Sequence, residues 1–451
     1  MNISNKTKRV LIAFFLLLIL LLLFFPFKGY ASDRKEITLS SKTDLSGKGY
    51  LWDASKMTLT FTNANVKDTI FVTPKTGNVT VKLTGENQLY GSIHAGSRDC
   101  GDLTFIGDGT GSLTIYGNIA YSAPGDINIK NCILEVDAAG REYSGFAIFD
   151  GATGSFNVTN GAKLILTEGL NCGSDLNIDH SAVYVKNTFL AYTCVDVNDD
   201  ISITNQGELH VNMTTTKQEP IALRGRLYAD ESSVIEVTTT GDSCFFLEGH
   251  EEDVIRPKVK ILSKAISLHC AESLFQGPVL QSEPDLTQNP VFVLNPAISE
   301  NYVTKLWLHR PESTNYMMAN LFQAENLTKP VNEITYQSEK YLQEQEALCQ
   351  AVQAQTIKLH SSLTNKKNVQ LHWSSSKDVE MDYYEVYRST YRYKGYTSTP
   401  FYTTKYGMKN YYTNTKDLKK GTRYYYKVRG VKVIDGKEYY TAWSNKAWRT
   451  V

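Results

Sequence analysis

From residue 59 to residue 268 the chain repeats one hydrophobic pattern, two short alternating segments separated by a polar turn. The clearest copies are DLTFIGDGTGSLTI (102–115), DINIKNCILEV (126–136), SFNVTNGAKLIL (155–166) and DLNIDHSAVYV (175–185). DISITNQGELHV (200–211), RLYADESSVIEV (226–237) and KVKILSKAISL (258–268) continue the series. Apolar residues stand two apart, as in Ile127/Ile129 then Leu134/Val136. A period of two buries one face of a strand and exposes the other. The turns hold Asn, Asp, Gly or Ser, which reach left-handed or side-chain-capped conformations at little cost. The first apolar position falls at 59, 79, 103, 127, 156, 176, 201, 227 and 259, a mean step of 25 residues. Such a unit holds two or three strands and cannot close a core alone, so its neighbours must stack. A propeller blade needs about 40 residues or more. The pattern therefore predicts a parallel β-helix of about nine coils over 36–285.

Stacking brings equivalent outward residues into files. The first strand supplies Thr104, Asn128, Asn157, Asn177, Ser202, Tyr228 and Lys260, a polar ladder. The second supplies Thr114, Glu135, Ile165, Tyr184, His210, Glu236 and Ser267. Aromatic, carboxylate and imidazole groups on a flat face are the chemistry that holds sugar rings and hydroxyls. Glu135, Tyr184, His210 and Glu236 are thus the candidate carbohydrate-binding residues. Files of this kind also arise in β-helices as structure alone.

The repeat register ends near residue 270. Residues 286–335 are expected to form an irregular cap or further strands. The Glu-, Gln- and Ala-rich stretch 336–355 reads as a helical linker. Residues 356–451 change character again, with 15 of the 28 tyrosines in 365–451. There VQLHW (369–373), YYEVYRS (383–389), RYYYKVRGV (423–431) and EYYTAWSN (438–445) read as strands of a small sandwich. At the other end, Lys6, Lys8 and Arg9 precede an apolar run from Val10 to Phe25, broken by Pro26 and followed by the small-x-small site Gly29-Tyr30-Ala31. This is the anatomy of a secretory signal peptide over 1–31, with an uncleaved N-terminal anchor as the alternative. The expected location is secreted or on the extracellular cell surface.

A net charge of zero conceals two regions of opposite sign. Residues 365–451 carry a net +11 and residues 32–364 a net −15. Solvated surfaces account for both. An anionic cell-wall polymer would also suit the basic module, and calcium or cationic partners the acidic region. No recognition motif points to nucleic acid. The seven cysteines include no CxxC pair and no zinc-like Cys/His spacing, and are expected as buried free thiols.

Two resemblances add to this reading. Over 355–451 the chain resembles fibronectin type III modules of bacterial surface proteins. Trp373 after Leu371 matches their core Trp, and Leu418-Lys-Lys-Gly-Thr422-Arg-Tyr424 matches their L-x-P-x-T-x-Y corner, with Lys420 in place of the usual Pro. The resemblance makes Trp373, Leu418 and Tyr424 structural residues and the module a spacer. Over 36–270, Leu103-Thr-Phe-Ile-Gly-Asp-Gly-Thr-Gly-Ser-Leu-Thr-Ile115 is similar to the recurrent line of a non-catalytic carbohydrate-binding right-handed β-helix family with the pectate-lyase fold. That resemblance implies a plant-type polysaccharide partner, acidic glycans among them, and Ca2+ as a bridging ion. The candidate calcium carboxylates are Asp196, Asp199 and Asp200, with Glu251, Glu252 and Asp253 as the alternative. The implied fold class is all-β, a right-handed parallel β-helix followed by an irregular or helical linker and a fibronectin type III sandwich.

Catalytic constellations are incomplete. Asp199-Asp200 looks like the paired aspartates of polygalacturonases without their N-T-D, G-H-G and R-x-K companions. Asp179-His180 sits in a repeat turn, and Arg256-Pro257 lacks the second Arg of a lyase motif. The leading expectation is a non-enzymatic polysaccharide-binding protein. A diverged polysaccharide lyase and an adhesin for a protein partner are the alternatives.

Overall fold

The computed structural model describes residues 36–73, 77–95, 100–121, 124–138, 146–150, 154–187, 193–214, 221–241, 243–246, 259–271, 275–277, 292–294, 305–309, 316–320, 333–364, 367–376, 379–407 and 409–451. The N-terminal segment 1–31, the run Glu251, Glu252 and Asp253, and the Arg256-Pro257 pair lie outside the described residues.

The chain is a β-solenoid followed by a small antiparallel β-sandwich, with one helix between them among the described residues. Each repeat lays down three strands. In one turn, Ile127–Lys130 and Ile133–Val136 are followed by Phe146–Asp150. The first two strands are the alternating pair visible in the sequence. The third strand is often only three or four residues, as in Ile119–Tyr121 and Gly169–Cys172, too short for alternation to mark. Equivalent strands of successive turns pair in parallel. The second strands, nine from Asn65–Val66 to Ala265–His269, stack in a ten-stranded sheet that carries the candidate glycan file.

The pairing register is the one the repeat predicts. Thr104, Asn128, Asn157, Asn177, Ser202, Tyr228 and Lys260 are successive partners. So are Thr114, Glu135, Ile165, Tyr184, His210, Glu236 and Ser267. A slip of one residue would turn the buried file Phe105, Ile129, Val158, Ile178 and Ile203 out to water, so burial enforces the alignment. The three asparagines of the polar ladder are hydrogen-bonded to one another. Asn157 Nδ2 donates to Asn128 Oδ1 at 3.2 Å, and Asn177 Nδ2 to Asn157 Oδ1 at 2.9 Å. Turn residues Asn131, Asn160, His180 and Asn205 hold φ between 47° and 60°, the left-handed region that Asn tolerates best after Gly. His180 is therefore a turn residue. All seven cysteines are free, and all but Cys349 are buried. Burial pushes the Cys132 thiol up to about 12.

Antiparallel strands flank the parallel stack at both ends. At the start, Leu45–Gly47, Tyr50–Asp53 and Thr58–Thr62 form an antiparallel meander over the fully buried Trp52, whose Nε1–H donates to the Ser40 carbonyl at 3.0 Å. At the far end, Glu333–Gln337 pairs antiparallel with Ala265–His269, and Lys305–His309 pairs with Tyr316–Asn320. The helix Glu339–Gln353 follows, with the Ser338 hydroxyl accepting the Tyr341 N–H at 3.1 Å. Tyr336 and Gln337, expected in the helical linker, are ladder partners of Ile266 and Ala265 instead. Strand pairing satisfies their backbone, and the capping serine sets the helix start one residue later.

The sandwich packs a three-stranded sheet (Ile357–Thr364, Asn368–Ser375, Tyr411–Asn414) on a five-stranded one built around Tyr383–Ser389 and Arg423–Ile434. Trp373, Leu371, Tyr384, Tyr426 and Val428 are in its core, and Leu418 packs against it. Tyr424 donates to the Asp417 carbonyl at 3.2 Å and accepts the Lys419 N–H at 2.9 Å, the bonding a tyrosine corner requires. The segment expected as one strand over 438–445 divides into Lys437–Tyr440 and, after a break, Ala447–Thr450. In the break the Thr441 and Ser444 hydroxyls accept the backbone N–H groups of Gly430 and Val428, each at 2.9 Å. Asn445 then accepts from the Leu359 N–H at 2.8 Å and donates to its carbonyl at 2.9 Å, tying the two sheets together.

Candidate functional site

The outward face of the ten-stranded solenoid sheet is met by the sandwich and the helix. Glu135 accepts from the Tyr406 hydroxyl and pairs with Lys405, while Thr114 Oγ1 lies 3.2 Å from the Lys405 ammonium. Lys409 reaches Glu86 at 2.5 Å, with both side chains largely buried. Burial alone would lower the Lys409 ammonium, but the Glu86 hydrogen bond and charge outweigh it and raise the pKa. Burial, then the Glu135 charge, pushes the Tyr406 hydroxyl upward. Further along, Lys163 meets Glu380 at 3.2 Å, and the helix sets Tyr341 against Val234 and Ala265. Lys264 meets Glu344 of the same helix at 2.8 Å.

Between the Lys163 and Lys264 contacts lies a cluster on Ala182–Asn187, Glu208–Met213 and Val234–Thr239. The Tyr184 and His210 rings stack with centres 4.6 Å apart and planes 7° from parallel. His210 Nδ1 is 2.7 Å from Glu236 Oε2, and its Nε2 is 3.2 Å from Glu208 Oε2. The Tyr184 hydroxyl donates to the same Glu208 oxygen at 3.5 Å. Burial would depress the imidazole, but its hydrogen bonds to Glu208 and Glu236 and their charges lift its pKa to about 9. At neutral pH the ring is an imidazolium between two carboxylates. Burial works to raise Glu208, yet the His210 hydrogen bond and charge hold it below the usual carboxylate range. The same hydrogen bond lowers Glu236. Burial, with the Glu208 and Asp382 charges, drives the Tyr184 hydroxyl up.

At neutral pH the cluster presents fixed charges, carboxylate oxygens and ring edges, groups able to hold a polar ligand. Glu236 and Glu208 are the more open members, with side chains 48% and 41% exposed.

Of the four carbohydrate candidates, the fold brings Tyr184, His210 and Glu236 together and sets Glu135 apart, beneath Tyr406 and Lys405. Glu208 was not among the candidates. It stands two residues before His210, on the same face of its strand, so alternation carried a signal for it. The sandwich partners Lys405, Tyr406 and Lys409 had none, being about 270 to 320 residues away in sequence.

The three calcium candidates lie on the strand Thr193–Thr204, which bends across a corner of the solenoid between Asp196 and Asp200. Arginines of the next turn face them. Arg224 is 3.4 Å from Asp196, and Arg226 is 3.8 Å from Asp199 and 2.5 Å from Asp200. Asn171 donates to Asp196 at 3.3 Å and Ser174 to Asp199 at 3.2 Å. Guanidinium charge stands where a cation would neutralise these carboxylates. Among the described residues no group of three or more His, Cys, Asp or Glu side chains is placed to hold a metal ion. No protein-family model matches the chain, and no curated protein matches it either.

Proposed function

We propose that the chain is a non-enzymatic polysaccharide-binding protein of the secreted or cell-surface class, with the Tyr184, Glu208, His210 and Glu236 cluster on the solenoid as its glycan contact. The observation that carries the reading is the geometry of that cluster: the His210 ring 2.7 Å from Glu236 and 3.2 Å from Glu208, stacked on the Tyr184 ring. Such a group hydrogen-bonds sugar hydroxyls through several oxygens. The signal-peptide pattern at 1–31 supports export. The fibronectin-like sandwich serves as a brace and presenter for the solenoid, consistent with its packing on the ten-stranded sheet. The test is retention on pectin, xylan and cellulose, with 235 nm absorbance followed in parallel. Retention without absorbance, lost in Tyr184→Ala and His210→Ala, is expected. Unsaturated product, or retention untouched by both substitutions, would sink the proposal.

A glycan-cleaving enzyme is the second reading, and Glu168 favours it. This buried carboxyl has an Oε2 atom with no hydrogen-bond partner, and burial together with the Asp137 charge raises its pKa. That is the direction a general acid needs. Glu168→Gln would abolish product release if this reading held.

A further inference from the structure

We propose that the outer face of the five-stranded sheet of the sandwich is a binding site for an acidic polysaccharide, separate from the solenoid cluster. Alternation along Arg423–Ile434 sends Tyr424, Tyr426 and Val428 into the core, which places Tyr425, Lys427 and Arg429 on the outside. Pairing with Tyr383–Ser389 sets Lys427 opposite Tyr387 and Arg429 opposite Glu385.

The result is a surface on which rings and cations interleave. The Lys427 ammonium lies 3.5 Å from the Trp443 ring centre, and the Arg429 guanidinium 3.8 Å from that of Tyr440. Lys446 is 4.3 Å from Tyr393, and Arg423 is 4.3 Å from Trp448. The aromatic groups are not sealed beneath the cations, since Tyr393 is 73% exposed and Trp443 42%. Large aromatic residues left open to water in a row mark a contact surface.

The charge of the surface says what it contacts. Glu385 is already taken up, by Arg429 Nε at 2.6 Å and by the Tyr387 hydroxyl at 3.1 Å. Glu438, at the edge, accepts from the hydroxyls of Tyr383 and Tyr440. Lys427 is crowded by burial and by Arg429 and Lys446, all of which depress its pKa, so a bound anion would relieve like-charge repulsion. The surrounding module carries a net +11 over 365–451. A chain of uronic acids fits both features at once. Its carboxylates meet the cations, and the C–H faces of its pyranose rings meet the exposed aromatic groups. A lipid headgroup or a phosphate polymer would use the charge and leave the rings without a role.

The experiment uses the chain from residue 32 onward. Binding is measured by calorimetry to polygalacturonate, to its methyl-esterified neutral form and to phosphatidylglycerol vesicles, at low and high salt. Binding to polygalacturonate that weakens with salt is expected, with none to the ester. Lys427→Glu with Lys446→Glu should weaken it about tenfold or more. Lys446→Glu alone changes an exposed side chain, cannot disturb the core, and should show part of the loss. The measurements are made in the Tyr184→Ala background, in which the solenoid cluster no longer contributes, so a loss in the lysine variants belongs to this site. Equal affinity of that background and both lysine variants would overturn the proposal. So would tighter binding to vesicles than to polygalacturonate, or no binding to polygalacturonate at all.

Discussion

The solenoid and the sandwich are both β-structure, yet they hold together in opposite ways. In the solenoid each turn borrows its core from its neighbours. Files such as Phe105, Ile129, Val158, Ile178 and Ile203 repeat one environment many times, and ladder bonds join side chains 20 to 29 residues apart. In the sandwich, distant segments meet through a few unrepeated residues: Trp373 and Tyr384 with ring centres 5.5 Å apart, Asn445 bridging two sheets, and Tyr424 tying down its corner. Stability in the first is spread along a series. In the second it rests on single positions. Function follows the same division, because a repeat presents files and a sandwich presents one composed face.

Removing a central residue from the sandwich tests this contrast most severely. Trp373→Ala should cost about 3–5 kcal/mol, the usual cost of emptying a buried aromatic site. Thermal melting followed by near-UV dichroism should then show the sandwich unfolding early while the solenoid transition stays in place. A single shifted transition would mean that the two regions fold as one unit, and the contrast would fail.

A smaller effect is expected from pH, through the His210 clamp. The imidazole is raised from about 6.5 to about 9 on folding, so its contribution is present in full below about 6.5 and is lost as pH rises through 9. At about 1.4 kcal/mol per unit this amounts to roughly 3 kcal/mol. Glu208 and Glu236 are depressed, and their contribution is lost as pH falls below the ordinary glutamate range near 4.3. Urea unfolding at pH 6.5 and 9 should show the loss in wild type and its absence in His210→Gln. Equal pH dependence in the two proteins would remove the clamp as a stabilising feature.

The smallest expected effect belongs to the ladder. Asn157→Ala breaks the bonds to Asn128 and Asn177 and should cost about 1 kcal/mol, since a half-exposed hydrogen bond contributes about that much. Hydrogen exchange should quicken only in the adjacent turns. A loss as large as that from Trp373→Ala would show that the solenoid, too, depends on single positions.

Much of the molecule was readable before folding. The alternation marked both long strands of each turn, and the stacking rule then aligned Tyr184 with His210 and His210 with Glu236. The left-handed turns at Asn131, Asn160 and Asn205 could be expected from residue type alone. The third strand escaped because three or four residues carry too little pattern. The division of the last strand segment escaped because the Thr441 and Ser444 hydroxyls replace main-chain partners.

The sequence alone determined which residues share a face, because side-chain direction along a strand is a local property with a period of two. It could not determine which face meets which. Glu135 and His210 occupy equivalent places in one file, yet one is clamped under Tyr406 and Lys405 and the other is held between Glu208 and Glu236. The docking of a basic module on that face separated them. Such docking depends on shape and charge summed over two surfaces hundreds of residues apart, and no local spacing encodes it.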